Sequence, residues 1–447
     1  IDSLTGAIDL STAIAGNYQV TYTPSSNWQQ MGQDIDGEAF SGTGFSVSIN
    51  NDGSKIIVPS TWGSTNGLFL NGYVKVYSWN GAAWGQLGQV ISGDSSYIQF
   101  GEINSINSNG SRIALGAHSS SSIKIFNWNG NSWIQLGTSI NLTGFAQSFS
   151  LNNDGNRILC SDNNQVSRVY EWNGSSWIQL GANINFGVHN KINSLGNRII
   201  INDQGLNSGL YTTKIYDWDG VDWTQLGADI SLQGSNSNPF QASVSITSDG
   251  NRIILNYNST VKIYDWDGVD WIQLGADISR QGSNSNFGES VSITSDGNRV
   301  AIGAPDYGED VNGNYLDTGY VTIYDWDGIA WTQTGVDIDA ESAEDYRAPI
   351  YYEDFVSISK DGSSIVIGAS YNTGGGYEAG HVRVFGYSNA VCPQPLNITI
   401  SETTYGTDFI SSCDSIAWID GNTYSTSNNT ATYTLTNSAG CDSIVTL

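Results

Sequence analysis

Helix-forming composition is what this chain lacks first. Its 447 residues include one Met and 7 Pro, and charged residues make up 13%. Lys, Glu and Leu are few, whereas Ser, Thr, Asn, Val, Ile and aromatics abound, which predicts strands joined by Asn/Gly turns. Basic charge is scarcer still: 16 Lys plus Arg stand against 43 Asp plus Glu, a net charge of −27. Nucleic acid is thereby excluded as a partner, because its phosphates need a positive surface, and an anionic membrane face is disfavoured. Solubility in a salty extracellular medium is the plain reading of the charge, and cation binding is the sharper one. No apolar run approaches the roughly 18 residues of a membrane span, so no direct membrane insertion is expected. No secretory leader is recognisable at Ile1, and the chain reads as a mature product or a piece of something longer. The four cysteines fit no zinc spacing and include no Cys-x-x-Cys. Cys160 stands alone, while Cys392, Cys413 and Cys441 crowd the end.

What the chain has in excess is 52 Gly, 15 Trp and 23 Tyr, arranged in a repeat. Its best-formed copy begins at Phe287, FGESVSITSDGNRVAIGAPDYG, and after a loop continues GYVTIYDWDGIAWTQTG. This reads as four short strands, with an Asp-Gly turn between the first two and a Trp-Asp-Gly turn between the last two. Seven copies align on the turn glycines Gly53, Gly110, Gly155, Gly196, Gly250, Gly297 and Gly362. Trp pairs five apart recur at Trp79/Trp84, Trp128/Trp133, Trp172/Trp177, Trp218/Trp223, Trp266/Trp271 and Trp326/Trp331. That fixed spacing predicts aromatic pairs across a hairpin, which stabilise a sheet, in preference to a carbohydrate-stacking array. A seventh unit is split: Trp28 supplies an orphan fourth strand and VRVFGY, ending at Tyr387, an orphan third. A closed ring explains the split, since pairing first with last removes exposed edges. The expected fold is all-β: a seven-bladed β-propeller of four-stranded antiparallel blades over 25–388. Flanking it are 1–24, read as the end of a preceding immunoglobulin-like β-module, and 389–447, read as a small β-sandwich-like repeat.

The intervals also predict two unlike faces. The turns between strands one and two and between three and four are constant in length. From turn glycine to first Trp the interval runs from 16 to 29 residues, and the blade-to-blade connection also varies. Alternate connections lie at opposite ends of an up-and-down blade, so both constant turns share one face and both variable loops the other. Working residues tend to sit on variable loops carried by a rigid scaffold.

The stretch from Phe287 to Tyr324, with Phe-Gly, Asp-Gly, Ile-Gly-Ala-Pro and Gly-Tyr-Val-Thr-Ile-Tyr, resembles the FG-GAP repeat of integrin α-subunit propellers. Phe100-Gly101, Phe186-Gly187, Gly116-Ala117 and Gly368-Ala369 keep parts of it. That family carries calcium on Asp-x-Asp-x-Asp-Gly loops. Turns such as Thr294-Ser295-Asp296-Gly297 lack the ligand series, so those sites do not transfer. The Trp-Asn-Gly-x-x-Trp-x-Gln-Leu-Gly pattern, with Gly16–Thr23 and the Cys-Asp-Ser repeats near the end, looks like the large secreted surface adhesins of Bacteroidota. This resemblance implies type IX-like secretion and a part in attachment, gliding or prey capture.

Two acidic stretches are the candidate chemistry. Asp306, Glu309, Asp310 and Asp317 form a calcium candidate, since hard oxygen ligands suit Ca2+. Glu341, Asp345 and Tyr346 lie on the next variable loop, and Trp62 and Tyr377 are read as aromatic anchors of the same rim. Solvated acidic loops are the alternative. Cys413 and Cys441, both before Asp-Ser, are expected to pair, with Cys392 a rival partner, and Cys160 to be a buried free thiol. The histidines His118, His189 and His381 form no close set in sequence. His189, Asn190 and Lys191 occupy an inner strand where other blades place small or apolar residues, which predicts an irregular blade or a wetter channel. The inner strands otherwise carry almost no charge, which disfavours catalysis. The expected function is non-enzymatic extracellular adhesion, with a cell-surface protein or glycan as partner. The alternatives are self-association within a surface filament and, remotely, a carbohydrate-active enzyme.

Overall fold

The computed structural model describes residues 16–20, 28–203, 210–233, 243–257, 259–279, 287–305, 319–340, 355–387, 396–400, 404–410, 415–436 and 442–447. The chain divides into two compact units: Ser25–Ser388, and a second made of Ile1–Pro24 with Asn389–Leu447.

The larger unit contains seven antiparallel sheets of the same order. The sixth blade shows the pattern: Ser290–Ile293 innermost, then Arg299–Ala304, Tyr320–Trp326 and Trp331–Gln333 outermost. In the last blade Val356–Ile358, Ser364–Ala369 and His381–Tyr387 are completed by Trp28–Gln30 from the other end of the segment. Trp28 pairs with Tyr387 and Gln30 with Phe385. The closure expected from the split repeat is therefore present. The inner strands neighbour one another in a full circle, the seventh returning to the first. In most blades the outer strand is longer than the sequence implies. It breaks at a glycine, then resumes as a two- to four-residue strand on the same partner, as Ile35–Asp36 does on His381–Tyr387.

The repeat residues hold blade to blade. Each Trp pair stands in register across its hairpin, with ring centroids 5.3 Å apart at Trp128 and Trp133. The second Trp reaches back, so that Trp133 Nε1 donates to Leu87 O of the preceding blade at 2.9 Å. Gly88, at φ 81°, lies over the neighbouring Trp128, where a Cβ would meet the ring at 2.6 Å. That close approach explains why glycine recurs four residues after the second Trp. Second strands such as Lys55–Ser60 are sandwiched on both faces and read as apolar runs, and Ile56, Ile57 and Val58 are all buried. The core is accordingly divided into clusters between adjacent blades; one joins Val47 and Ile56 to Val366 and Val382.

A circle of backbone hydrogen bonds closes the tight-turn end of the axis. Asn51 N–H donates to Ser108 O (3.0 Å), Ser108 to Asn153 (3.0 Å), Asn153 to Ser194 (3.1 Å) and Ser194 to Ser248 (3.2 Å). Ser248 donates to Ser295 (3.3 Å), Ser295 to Lys360 (2.8 Å), and Asp361 N–H returns to Asn51 O (3.2 Å). A base two residues after the turn glycine bonds the next blade's turn at six joints. Arg198, for instance, donates to Gly250 O at 3.2 Å while gripping Asp217 with two nitrogens.

In the smaller unit Gly16–Val20 pairs along its length with Leu396–Ile400. The sequence assigns these strands to different modules, but each satisfies the other's backbone groups and the flanks form one unit. A three-stranded sheet joins Thr404–Thr407, Asp442–Thr446 and Thr432–Thr436. Trp418 is buried there and donates to Asp408 Oδ2 at 3.0 Å. Cys160 is a buried free thiol. Cys392, Cys413 and Cys441 lie outside the described residues.

Candidate functional site

The variable-loop face carries an arrangement that occurs twice. Phe40, in the connection from the closing blade to the first, packs on Tyr377 with centroids 5.4 Å apart. Tyr97, in the connection from the first blade to the second, packs on Phe69, also at 5.4 Å. Tyr377 and Phe69 belong to second-to-third-strand loops. In both copies the backbone N–H of the first aromatic donates to the carbonyl of the second, Phe40 to Tyr377 and Tyr97 to Phe69, at 2.8 Å. All four rings are more than half exposed.

The backbone beneath these rings is held in an unfavourable conformation. Phe40 has φ 63° and Tyr97 φ 62°, and Glu378 (49°) matches Leu70 (47°) in the partner loops. Bulky residues in the left-handed region cost on the order of 1–3 kcal/mol each and cluster at ligand sites. Neighbouring contacts fix the conformation: Gly42 N–H donates to Glu378 O, Gln99 N–H to Leu70 O, and Asn71 Nδ2 to Gly93 O. Nothing in the sequence announces this strain, because Gly and Asn are the usual signals for positive φ and neither occupies position 40 or 97.

The structure sorts the residues expected at this rim. Tyr377 projects into solvent at the rim, packed on Phe40. Trp62 does not. It is half-buried, edge-on to Tyr371 at 5.1 Å and Phe45 at 6.1 Å. Gly42 passes so near its indole that a Cβ there would clash at 2.5 Å. Trp62 therefore supports the loop that presents Phe40. Asp306, Glu309, Asp310, Asp317, Glu341, Asp345 and Tyr346 lie outside the described residues.

Among the described residues, one other group brings metal-ligand chemistry together: Asp34, Asp36 and His381, with ligand atoms within 4.8 Å of one another. Asp36 sits opposite His381 only because the closing strand joins the two ends, so sequence spacing could not reveal it. Glu102, at the loop end of the second inner strand, is buried. Desolvation pushes its carboxyl up to about 7 against the opposing effect of the His118 backbone N–H, which it accepts at 2.8 Å. Burial likewise pushes His118 down to about 4. Asp162 forms a buried ion pair with Arg168 at 3.0 Å and also accepts from Thr143, which anchors a loop of the third blade.

No protein-family model matches this chain, and no curated protein matches its sequence. Among solved structures it is similar to the β-propeller domain of Cps50 (Swd1) from Myceliophteria thermophila. The TM-score is 0.52 at 7% identity, over 83% of this chain and 100% of that one. It is also similar to hydrazine synthase from Kuenenia stuttgartiensis, with TM-score 0.51 at 13% identity, over 81% and 98% of the two chains. At these identities the likeness shows the fold, a β-propeller.

Proposed function

We propose that this chain is a non-enzymatic, extracellular binding module of a larger surface or appendage protein, and that its variable-loop face holds a protein or glycan partner. The observation that carries the reading is the duplicated pair of exposed aromatics in strained backbone at Phe40/Tyr377 and Phe69/Tyr97. Exposed aromatic faces supply contact area at low entropic cost and suit both sugar rings and apolar side chains. The resemblance of the repeat to FG-GAP propellers and to Bacteroidota surface adhesins supports an extracellular setting, as does the acidic composition.

A self-assembling structural segment is the second reading. It is favoured by Val221, Val269 and Ile329, each at least 80% exposed on the hairpin tips of three successive blades of the tight-turn face. A glycan array and a cell-surface binding assay on the Phe40→Ala/Tyr97→Ala double variant separate the two. The first reading expects binding to fall by roughly tenfold or more, about 1.4 kcal/mol, with no loss of thermal stability. Unchanged binding in that variant, with loss of self-association in Val221→Ser/Val269→Ser/Ile329→Ser by light scattering, would move the working surface to the other face.

A further inference from the structure

Asp34, Asp36 and His381 lie where the two ends of the propeller segment meet, beneath the first aromatic pair. Four residues of chain lead from Asp36 to Phe40, and four from Tyr377 to His381. Strand pairing brings the ligand groups together. Gly37 N–H donates to Gly380 O at 2.9 Å. Asp36 and His381, on the adjacent rung, are therefore the non-hydrogen-bonded kind of antiparallel pair, whose side chains stand closer. Asp34, two residues before Asp36, brings a second carboxylate to the same side. The ligand atoms of all three lie within 4.8 Å of one another. Gln30 Nε2 donates to Asp34 Oδ1 and orients it. His381 is buried, Asp34 half-buried and Asp36 exposed.

The second aromatic pair is an internal control for this arrangement. There Gly93 N–H donates to Gly72 O, also at 2.9 Å, and Tyr73 stands opposite Ser92. Tyr73, Ser92 and Val90 thus hold the places of His381, Asp36 and Asp34. The copy keeps the pairing, the exposed rings and the positive φ values with none of the three ligands. Building this backbone therefore requires neither the histidine nor the carboxylates. In four further blades the place of His381 is taken by Ser122, Thr212, Thr260 and Tyr320. In the fourth and fifth blades Asp229 and Asp277 hold the place of Asp34, and Lys214 and Lys262 neutralise them. Arg383 has the corresponding position in the closing blade, and its Nη2 donates to Asp339 O of the sixth blade at 3.0 Å.

We propose that Asp34, Asp36 and His381 bind a divalent first-row transition cation, with zinc the best fit, as a clasp between the two ends of the propeller segment. One imidazole and two carboxylates suit Zn2+, which takes nitrogen and oxygen at roughly 2.0–2.2 Å and leaves a fourth position to water. Tetrahedral ligands at such distances stand about 3.4 Å apart, and rotation of the exposed Asp36 side chain closes the remaining gap. The imidazole sets the site apart from calcium and magnesium, which prefer six or more oxygens. The ion neutralises the two carboxylates and ties Asp34 and Asp36 of the outer strand to His381 of the third. Metal binding and ring closure are thereby linked.

The test uses the full chain, stripped with a chelator and titrated by calorimetry with zinc chloride, and separately with calcium and magnesium chloride. Thermal midpoints are read with and without each metal. Zinc should bind with a component that calcium and magnesium do not fill, and should raise the midpoint by several degrees. Asp36→Ser and His381→Tyr carry the residues of the copy. Asp36 is exposed, so Asp36→Ser should keep the fold and, without metal, the midpoint of the unaltered chain. Each variant should weaken the zinc component by at least the roughly tenfold that loss of a supporting residue costs a metal site, and should lose the zinc-dependent rise. Cobalt(II) should give visible absorption bands with the unaltered chain that disappear in His381→Tyr. Zinc behaviour no different from that of calcium, or a zinc component unchanged in Asp36→Ser, overturns the proposal. In that case a lowered metal-free midpoint of Asp36→Ser would assign the carboxylates to His381 and Arg383 alone.

Discussion

On the tight-turn face the same contacts recur from blade to blade, whereas on the variable-loop face, among the described residues, a strained aromatic pair occurs at two of the connections. Lys55, Arg112, Arg157, Arg198, Arg252 and Arg299 each donate to a carbonyl in the next blade's turn. Six of the 16 basic residues are spent on this circle. At the closing joint Ser364 stands where a base would be. The loop face stores strain: among the described residues, six of the eight non-glycine residues at positive φ lie in the loops around Phe40, Leu70, Tyr97 and Glu378. One face therefore minimises energy by repetition, and the other departs from the minimum where it presents rings to solvent. That division is expected of a scaffold that carries a binding surface.

Deleting residues 25–36 breaks the comparison most severely, because it removes Trp28–Gln30 and with it the bond between Met31 N–H and Val384 O at 2.7 Å. Both faces lose their ring at once. The expected outcome is loss of the cooperative thermal transition, followed by circular dichroism, and an unchanged midpoint would contradict closure. A smaller effect is expected from Arg198→Ala, which frees Asp217 and the Gly250 carbonyl. Urea unfolding should show a loss of about 1–2 kcal/mol with partner binding unaltered. The smallest effect has the opposite sign. Phe40→Gly removes a bulky residue from the left-handed region, where glycine rests without strain, and should stabilise the disc by about 1 kcal/mol. The same variant should weaken partner binding. A stability loss there would show that the ring packs for the fold and not for a ligand.

The residues that were legible share one property: their meaning is local. Asp296-Gly297 and Trp326-Asp327-Gly328 fix turns within a few residues, so spacing alone revealed hairpins, registers and even the division between the two faces. Tyr377 was legible as a rim residue because loop length placed it there. Trp62 was misread because its partners, Gly42, Phe45 and Tyr371, come from a preceding connection, an inner strand and the last blade. Phe40 and Tyr97 were missed because their backbone is imposed by hydrogen bonds from another loop.

The sequence by itself determined the repeat, the four-stranded unit and the need for closure, since each follows from turn chemistry, strand alternation and an orphan strand at either end. Only the tertiary structure decided that Asp36 meets His381 and that two exposed aromatic pairs are copies of one arrangement. The reason is geometric. A ring joins the two ends of the propeller segment, and that proximity is not encoded in any stretch of chain short enough to carry a periodic signal.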